Sequence, residues 1–343
     1  LSLRRQRQMC IRDSHTRARF DFSFEFKKMI RLIVNRIFAT ILVLIGVSFV
    51  VFAAVHFSPG DVARTILGLG ATEERVQALR QELGLDRPLL IQYWDWMMAL
   101  IKGDLGRSIS LGVPVSEVIF DKIWASLLLM GASFFLTVSF GLLFAALSGG
   151  YHRSLMDRLI TLLMLLLASL PPFWLGIVLL IIFGLKLRIF PISGVGAMAD
   201  DATLYVVAMH LILPAVTTAA SSLAVVARVT RSAFIDEMGE PYVQAARARG
   251  LSQRRIISIE TMRNVLPSFV TIAGLQIGFL FSSALFSEIV FNWPGIGLQL
   301  YLGIVQRDFP VVQGCVLAIA IVFVVGNLLA DILSIALDPR RRG

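Results

Sequence analysis

The chain has 343 residues, of which 57% are hydrophobic and 16% charged, and its mean hydropathy is +0.78. This balance excludes an ordinary soluble domain, and several apolar runs reach the roughly 20 residues needed to cross a bilayer core. A net charge of +9 could indicate nucleic-acid binding, but the basic residues gather at the ends of apolar runs, where membrane topology explains them better. The two cysteines give neither a disulfide framework nor a metal-ligand spacing.

Residues 1–28 differ from the rest of the chain. They begin with Leu, carry six Arg and contain no apolar core of the kind found in signal peptides. We therefore expect a non-native or disordered leader that precedes a true start at Met29. A native disordered basic tail is the alternative.

The first membrane span is predicted at Ile37–Phe57, in an N-terminal helical region that covers residues 29–57. Basic residues precede this span, and because basic loops stay in the cytoplasm, the N-terminus is expected inside the cell.

An extracytoplasmic segment, residues 58–121, is expected next. It opens on a turn signal that contains Pro59, Gly60 and Asp61. Its aromatic cluster favours a helix at the membrane interface, which is compatible with a packed extracytoplasmic helix; the cluster consists of Tyr93, Trp94 and Trp96.

Five further spans are predicted in a core that covers residues 122–337. They lie at about residues 123–147, 159–185, 204–226, 266–291 and 311–337. The basic tail, residues 338–343, closes the chain on the cytoplasmic side. Six spans with both termini inside satisfy the charge rule at every loop, so the fold class is an all-α integral membrane protein.

Two of these spans carry candidate pathway or packing residues. Pro171 and Pro172 interrupt the third span, where they predict either a kink or a broken helix beside a pathway. The fifth span carries the amide of Gln276 near its middle, and small polar residues at Ser282 and Ser283. For Gln276 we favour a structural hydrogen bond over solute contact.

The loop between the fourth and fifth spans, residues 236–263, is polar and basic, and seven Arg lie between Arg228 and Arg263. Its pattern predicts two short helices: Pro241 starts the first, Gly250 ends it in a left-handed conformation, and Ser252 caps the second.

Spacing places four residues on one face of the first helix, with Ala245 and Ala246 keeping it flat: Tyr242, Ala245, Ala246 and Arg249. Pro267 should mark the start of the next apolar run, with Leu266 held outside the helical region. A partner protein docking on this loop and an amphipathic loop lying on anionic lipid are both compatible with the pattern.

The sequence Gln244-Ala245-Ala246-x3-Gly250, followed by Leu266-Pro267, resembles the EAA coupling loop of ABC importer permeases. Two positions depart from that family's pattern, because Gln244 stands where the family has Glu and Asn264 stands where an apolar residue is common.

Other sequence motifs resemble those of dipeptide and oligopeptide importer permeases. FSPGD and LGLDRP…QY…GDLGRS are similar to the family's first outer segment. Glu288 and the turn FNWPGIG, with Pro294, Gly295 and Gly297, resemble the phrase that closes the fifth span.

The resemblance implies a type I ABC importer permease fold and the first permease subunit of a bacterial inner-membrane importer for di- or oligopeptides. It implies that the loop contacts an ATPase through Tyr242, Gln244, Ala245, Ala246, Arg249, Gly250, Leu266 and Pro267. The implied partners are a second homologous permease, two cytoplasmic ATPase subunits, an extracytoplasmic solute-binding protein and membrane lipid, with no nucleic acid.

ATP and Mg²⁺ would belong to the ATPases, so this chain is expected to bind no cofactor or metal and to be no enzyme. It contains no phosphate-binding loop and no nucleophile constellation. An ion-coupled carrier or channel, or a membrane scaffold, remains as an alternative. The sequence does not name the solute, which could be a dipeptide, oligopeptide, glutathione, nickel chelate or sugar.

Overall fold

The computed structural model describes residues 22–57, 64, 67, 70–82, 84, 86–194 and 203–337. Within these ranges the chain is a bundle of helices without a β-sheet. The helices are α1 Phe22–His56, α2 Glu73–Glu82, α3 Leu89–Ile101, α4 Val115–Gly150, α5 Leu155–Ser169, α6 Pro172–Leu179, α7 Leu204–Met238, α8 Pro241–Ala248, α9 Gln253–Arg255, α10 Met262–Val290, α11 Ile296–Gln306 and α12 Phe309–Leu337. Two π-helical stretches accompany them, at Leu180–Lys186 and Ile256–Thr261.

Five of the described helical stretches are long and apolar enough to cross a membrane, and a sixth span results if α5 and α6 are one span. The five lie at Asn35–His56, Val115–Gly150, Leu204–Met238, Gln253–Val290 and Phe309–Leu329. The predicted all-α membrane fold is therefore confirmed. The turn signal at Pro59, Gly60 and Asp61 lies outside the described residues.

The third span is broken, so the simple kink that the sequence allowed is wrong. α5 and α6 meet at an angle of 110°. Leu170 and Pro171 between them have extended backbones, and Pro172 is the first residue of α6. The break follows from the chemistry of proline, because each ring removes a backbone donor and forces the preceding residue out of the helical region.

The broken span nevertheless joins opposite ends of the bundle. At the start of α5, Asp157 accepts hydrogen bonds from Arg231 of α7. Beyond the π-helical stretch that follows α6, the Gly194 N–H donates to the Phe291 carbonyl at 2.8 Å, next to the end of α10. Arg231 lies near the C-terminal end of α7, and Phe291 directly follows the C-terminal end of α10. These two helices run antiparallel, since Glu237 bonds Asn264 and Thr218 bonds Ser287. Arg231 and Phe291 therefore lie at opposite ends of the bundle, and α5 and α6 together cross it once as a sixth span.

α4 and α7 pack along each other through small residues and form the centre of the bundle. Buried alanines line α7, at Ala219, Ala220, Ala224 and Ala227. On α4, a Cβ atom at Gly149 would lie only 2.4 Å from the Cβ of Phe234. Glycine at this position therefore allows a close approach of the two backbones.

Three parts of the helical pattern differ from the sequence-based prediction. α7 continues beyond Val226 to Met238, α11 was not predicted, and α10 runs through Pro267 with Leu266 inside the helix. The prediction that Leu266 lies outside the helical region is wrong. Val265 and Phe269 are both buried on this turn, so packing on either side of Pro267 outweighs the local cost of the proline.

α3 packs on α1 in the segment between the first two spans. The Ser48 and Tyr93 hydroxyls are 2.8 Å apart, and the Tyr93 ring meets Phe49 and Phe52 edge-on. Trp94 points away from this contact and is 60% exposed. α3 therefore combines the packed helix and the exposed aromatic surface that the sequence allows.

Candidate functional site

The segment between α7 and α10, residues 239–261, lies at one end of the bundle. We call this the basic end, because the side chains of Arg153, Arg247, Arg249, Arg254 and Arg255 are all exposed there. The segment consists of α8, a turn at Gly250, the short α9 and the π-helical stretch Ile256–Thr261.

α8 rests on an apolar base. Val243, Ala246 and Ile256 are each fully buried and form one cluster, with Leu251 packed against it. The prediction that Ala246 belongs to an exposed flat face is therefore wrong, since its methyl group faces inward to Ile256. Helical spacing grouped Ala246 with Ala245 and Arg249, which are exposed, whereas the structure buries Ala246 against Ile256.

The exposed side of α8 is instead formed by Gln244, Ala245, Ala248 and Arg249. Tyr242 is half-buried, and its hydroxyl donates to Glu237 at 2.7 Å. α8 thus presents a small surface with two alanines, flanked by Gln244 and Arg249, at the basic end.

Gly250 ends α8 as the sequence predicts. Its φ is +77°, in the left-handed region that side chains disfavour. The Gly250 N–H donates to the Arg247 carbonyl at 2.9 Å, and the Leu251 N–H donates to the Ala246 carbonyl at 3.2 Å. These two bonds form a Schellman motif. Ser252 occupies the predicted N-cap position of α9, although its side chain makes no capping bond.

The segment is anchored to α4 and α10 beneath it. Gln253 Nε2 donates to the Gly150 carbonyl at 2.7 Å. Ile257 packs with Phe234 and Val265 in one cluster, and a Cβ at Gly150 would lie 2.3 Å from Ile257 Cδ1. Movement of the 239–261 segment must therefore be shared with the helices below.

An open groove of about 920 Å³ lies between α7 and α10 beside this segment. Pro267 and Tyr242, both predicted as coupling-loop residues, line it, whereas the five candidate pathway or packing residues are not among its lining: Pro171, Pro172, Gln276, Ser282 and Ser283. Gln276 is buried within α10, and its structural hydrogen bond stays a prediction. Ser283 is buried with an unpaired hydroxyl, and Ser282 is exposed.

The motif formed by Glu288 and the turn FNWPGIG lies at the end of the bundle opposite the basic end, where it forms a closed polar cluster. Glu288 is buried and accepts from Ser126 at 2.6 Å and from the N–H groups of Gly297 and Leu298 at 2.6 and 3.3 Å. A Cβ at Gly295 would lie 2.3 Å from a Glu288 oxygen, so the glycine makes room for the carboxyl group. Pro294 lies in the turn between α10 and α11.

Two carboxylate sites were missed by sequence reasoning. One is Asp157, which accepts two hydrogen bonds from the Arg231 guanidinium group, at 2.7 and 2.9 Å. Its signal was present, because Ser154 and Asp157 have the spacing of a helix capping box and the Asp157 N–H donates to Ser154 Oγ. The pair ties the start of α5 to α7.

The other is Asp308, which is buried just before α12 and joins the loop before α4 to that helix. Ser108 Oγ and Ser110 Oγ donate to its carboxylate at 2.6 and 2.7 Å. Burial alone would raise the pKa of Asp308, but the hydrogen bonds from these serines outweigh it and hold the pKa below its ordinary value. No short-range pattern indicates a contact across 200 residues.

We expect the Asp308 contact to persist at every pH above the ordinary titration range of aspartate. Because folding lowers the pKa of Asp308, the ionised carboxylate contributes its full stabilisation above the pKa that Asp308 has in the unfolded chain. That stabilisation is lost as the pH falls through the pKa that Asp308 has in the folded protein. Asp308→Asn should cost about 1–3 kcal/mol at neutral pH. It should also reduce the loss of stability in acid, measured as thermal unfolding in detergent against pH. An unchanged acid profile would contradict this assignment.

Two family models match the chain. One, described as "Binding-protein-dependent transport system inner membrane component", matches residues 137–343, and the other, described as its N-terminal membrane component, matches residues 29–130.

Individual relatives cover nearly the whole chain. The "Glutathione transport system permease protein GsiC" of Salmonella typhimurium is 36% identical over 314 residues, which are 92% of this chain and 99% of the relative. The protein of the same name in Escherichia coli K12 is 35% identical over 314 residues, which are again 92% of this chain and 99% of the relative. The chain therefore belongs to the family of binding-protein-dependent inner-membrane transport components, as a permease subunit of an ATP-driven ABC importer.

Proposed function

We propose that this permease moves short peptides, from dipeptides to compounds the size of glutathione. The motifs of the outer segment resemble those of peptide importer permeases, and the relatives from Salmonella typhimurium and Escherichia coli are named glutathione transport permeases. A solute-binding protein would deliver the peptide from outside the inner membrane. The test is to express the solute-binding protein encoded next to this permease and to measure its binding of di- and tripeptides by calorimetry. Selective binding of a metal chelate or a sugar would overturn the peptide assignment.

The second part of the proposal is that α8 docks on an ATPase subunit and that the basic end faces the cytoplasm. The observation that carries it is the form of α8. This helix has a fully buried underside, an exposed side that consists of Gln244, Ala245, Ala248 and Arg249, and a left-handed residue, Gly250, at its end. Gln244, Ala245 and Arg249 would make the contact, while Ala246 and Gly250 would hold the helix in place. Basic residues at this end favour the same orientation, with both termini inside.

The mechanism follows from this arrangement. A second, related permease would complete the pathway, and two ATPase subunits would hold ATP and Mg²⁺. ATP binding would bring the ATPases together and move α8, and α7 and α10 would transmit that movement because α8 is connected to both. This chain needs only two packings of similar stability, between which ATP binding selects.

Substitution of Gly250 tests the docking proposal. A β-branched side chain in the left-handed region costs about 1–2 kcal/mol, so Gly250→Val should reorient α8 and reduce transport on the order of tenfold. Gly250→Asn is the matched control, because asparagine tolerates this backbone conformation and should keep most of the activity. Transport and bound ATPase are measured in the purified complex. Equal activity of the Val variant and the wild type would rule out a role for this helix stop in docking.

A further inference from the structure

Three polar side chains form a closed triangle at the rim of the groove between α7 and α10. The Tyr242 hydroxyl donates to Glu237 Oε2 at 2.7 Å, and Asn264 Nδ2 donates to the Tyr242 oxygen at 3.0 Å. Asn264 Nδ2 also lies 3.3 Å from Glu237 Oε2 and donates to it. We call this set the polar triangle. Glu237 belongs to the last turn of α7, Tyr242 to the first turn of α8 and Asn264 to the first turn of α10.

The triangle adds polar contacts to the apolar packing that holds α8. Its underside packs on Ile256 through Val243 and Ala246. Its other edge borders the groove of about 920 Å³ that opens between α7 and α10. Gly239 and Gly250 flank this eight-residue helix. The triangle lines this groove and connects all three helices by hydrogen bonds, while the Tyr242 side chain also packs against the apolar base.

The chemistry of the triangle keeps it closed at physiological pH. The Tyr242 hydroxyl must keep its proton in order to donate to Glu237 while accepting from Asn264. Burial, together with the hydrogen bond to Glu237, raises the pKa of Tyr242. The phenol therefore stays protonated, and all three contacts remain available.

We infer that the polar triangle makes α8 and the adjoining ends of α7 and α10 one rigid unit, so that Tyr242 and Asn264 are positioning residues for the coupling of ATP hydrolysis to transport. The inference rests on the proposed docking of an ATPase at α8. A push on α8 reaches α7 through Glu237 and α10 through Asn264. Asn264 is also one of the two positions where the sequence departs from the coupling-loop pattern, and an apolar side chain there could donate neither bond.

The first experiment compares three variants in the complete transporter with its binding protein. Asn264→Leu removes both bonds that the amide donates, and Tyr242→Phe removes the hydroxyl. Ser268→Ala is the control, because Ser268 is an exposed hydroxyl on the next turn of α10, outside the triangle. The readout is the number of solute molecules moved per ATP hydrolysed, together with the amount of ATPase that remains bound.

Asn264→Leu and Tyr242→Phe should keep the ATPase bound and hydrolysing while the solute moved per ATP falls by about tenfold. The double variant should be no worse than either single one, because the triangle acts as a unit. An unchanged ratio overturns the inference, and so does a loss of activity in proportion to lost ATPase, which would indicate a docking contact only. If the wild type binds no ATPase at all, the proposed function fails instead, so the two failures are distinguishable.

The second experiment replaces the hydrogen bonds with a covalent link. Glu237→Cys and Asn264→Cys are combined in a chain that carries Cys10→Ser and Cys315→Ala, and the two thiols are joined with a short reducible cross-linker. The unlinked protein should be uncoupled like Asn264→Leu. Cross-linking should restore coupling, and reduction should abolish it again. If cross-linking instead stops the remaining transport, α7 and α10 must separate during the cycle and the rigid unit does not exist.

Discussion

Gly149→Ala should destabilise the protein more than alanine at any other glycine of α4. The new Cβ would lie 2.4 Å from Phe234 Cβ and 3.1 Å from the Arg231 carbonyl oxygen. Neither atom is the free end of a flexible side chain, so the C-terminal ends of α4 and α7 must move apart. Overpacking of this kind typically costs about 1–3 kcal/mol and occasionally more.

Gly131→Ala is the matched control, because a Cβ at Gly131 of the same helix would meet nothing within 4 Å. That variant should be unchanged or more stable by up to about 1 kcal/mol, since alanine is the better helix former. Thermal unfolding of both variants in detergent gives the comparison. Similar melting temperatures for the two would show that α4 and α7 do not meet as closely as described.

Glu288→Leu is expected to have the second large effect. The buried carboxyl group accepts hydrogen bonds from Ser126, Gly297 and Leu298, and it thereby joins α10 to α4 and to the start of α11. Leucine would leave three donors without this acceptor in a buried site. Each unsatisfied donor costs about 1–3 kcal/mol, so the total loss should be several kcal/mol.

Glu288→Gln keeps the shape and one acceptor oxygen and should be clearly milder than Glu288→Leu. Ser126→Ala removes a hydroxyl that both donates to Glu288 and accepts from the Ile296 N–H, so it should lie between wild type and Glu288→Leu. Proteolysis of the turn between α10 and α11, combined with thermal unfolding, measures the effect. Equal stability of the Leu and Gln variants would mean that hydrogen bonding is not what Glu288 contributes.

Features that depend on neighbouring residues in the sequence were predictable. Gly250 ends α8 and Pro241 starts it, because both act through their own backbone angles. The break at Pro171 and Pro172 was one of two outcomes that the sequence allowed, and the structure shows the more severe one.

Features that depend on distant residues were not predictable. The burial of Ala246 requires Ile256 to fold back beneath α8, and Asp308 meets Ser108 across 200 residues. Local rules predicted that Pro267 marks the start of a helix, yet it lies inside α10, with Val265 and Phe269 buried on either side. Helical periodicity shows which residues share a face, but it does not show what that face meets.

The central claim is that the exposed side of α8 contacts the ATPase, and site-specific photocross-linking tests it most directly. A photoreactive amino acid replaces Ala245, which is exposed on α8, or Val305, which is 62% exposed on α11. We predict a cross-link from position 245 to the ATPase subunit in the assembled transporter and none from position 305. Cross-linking of position 245 only to lipid, with the ATPase bound elsewhere, would contradict the claim.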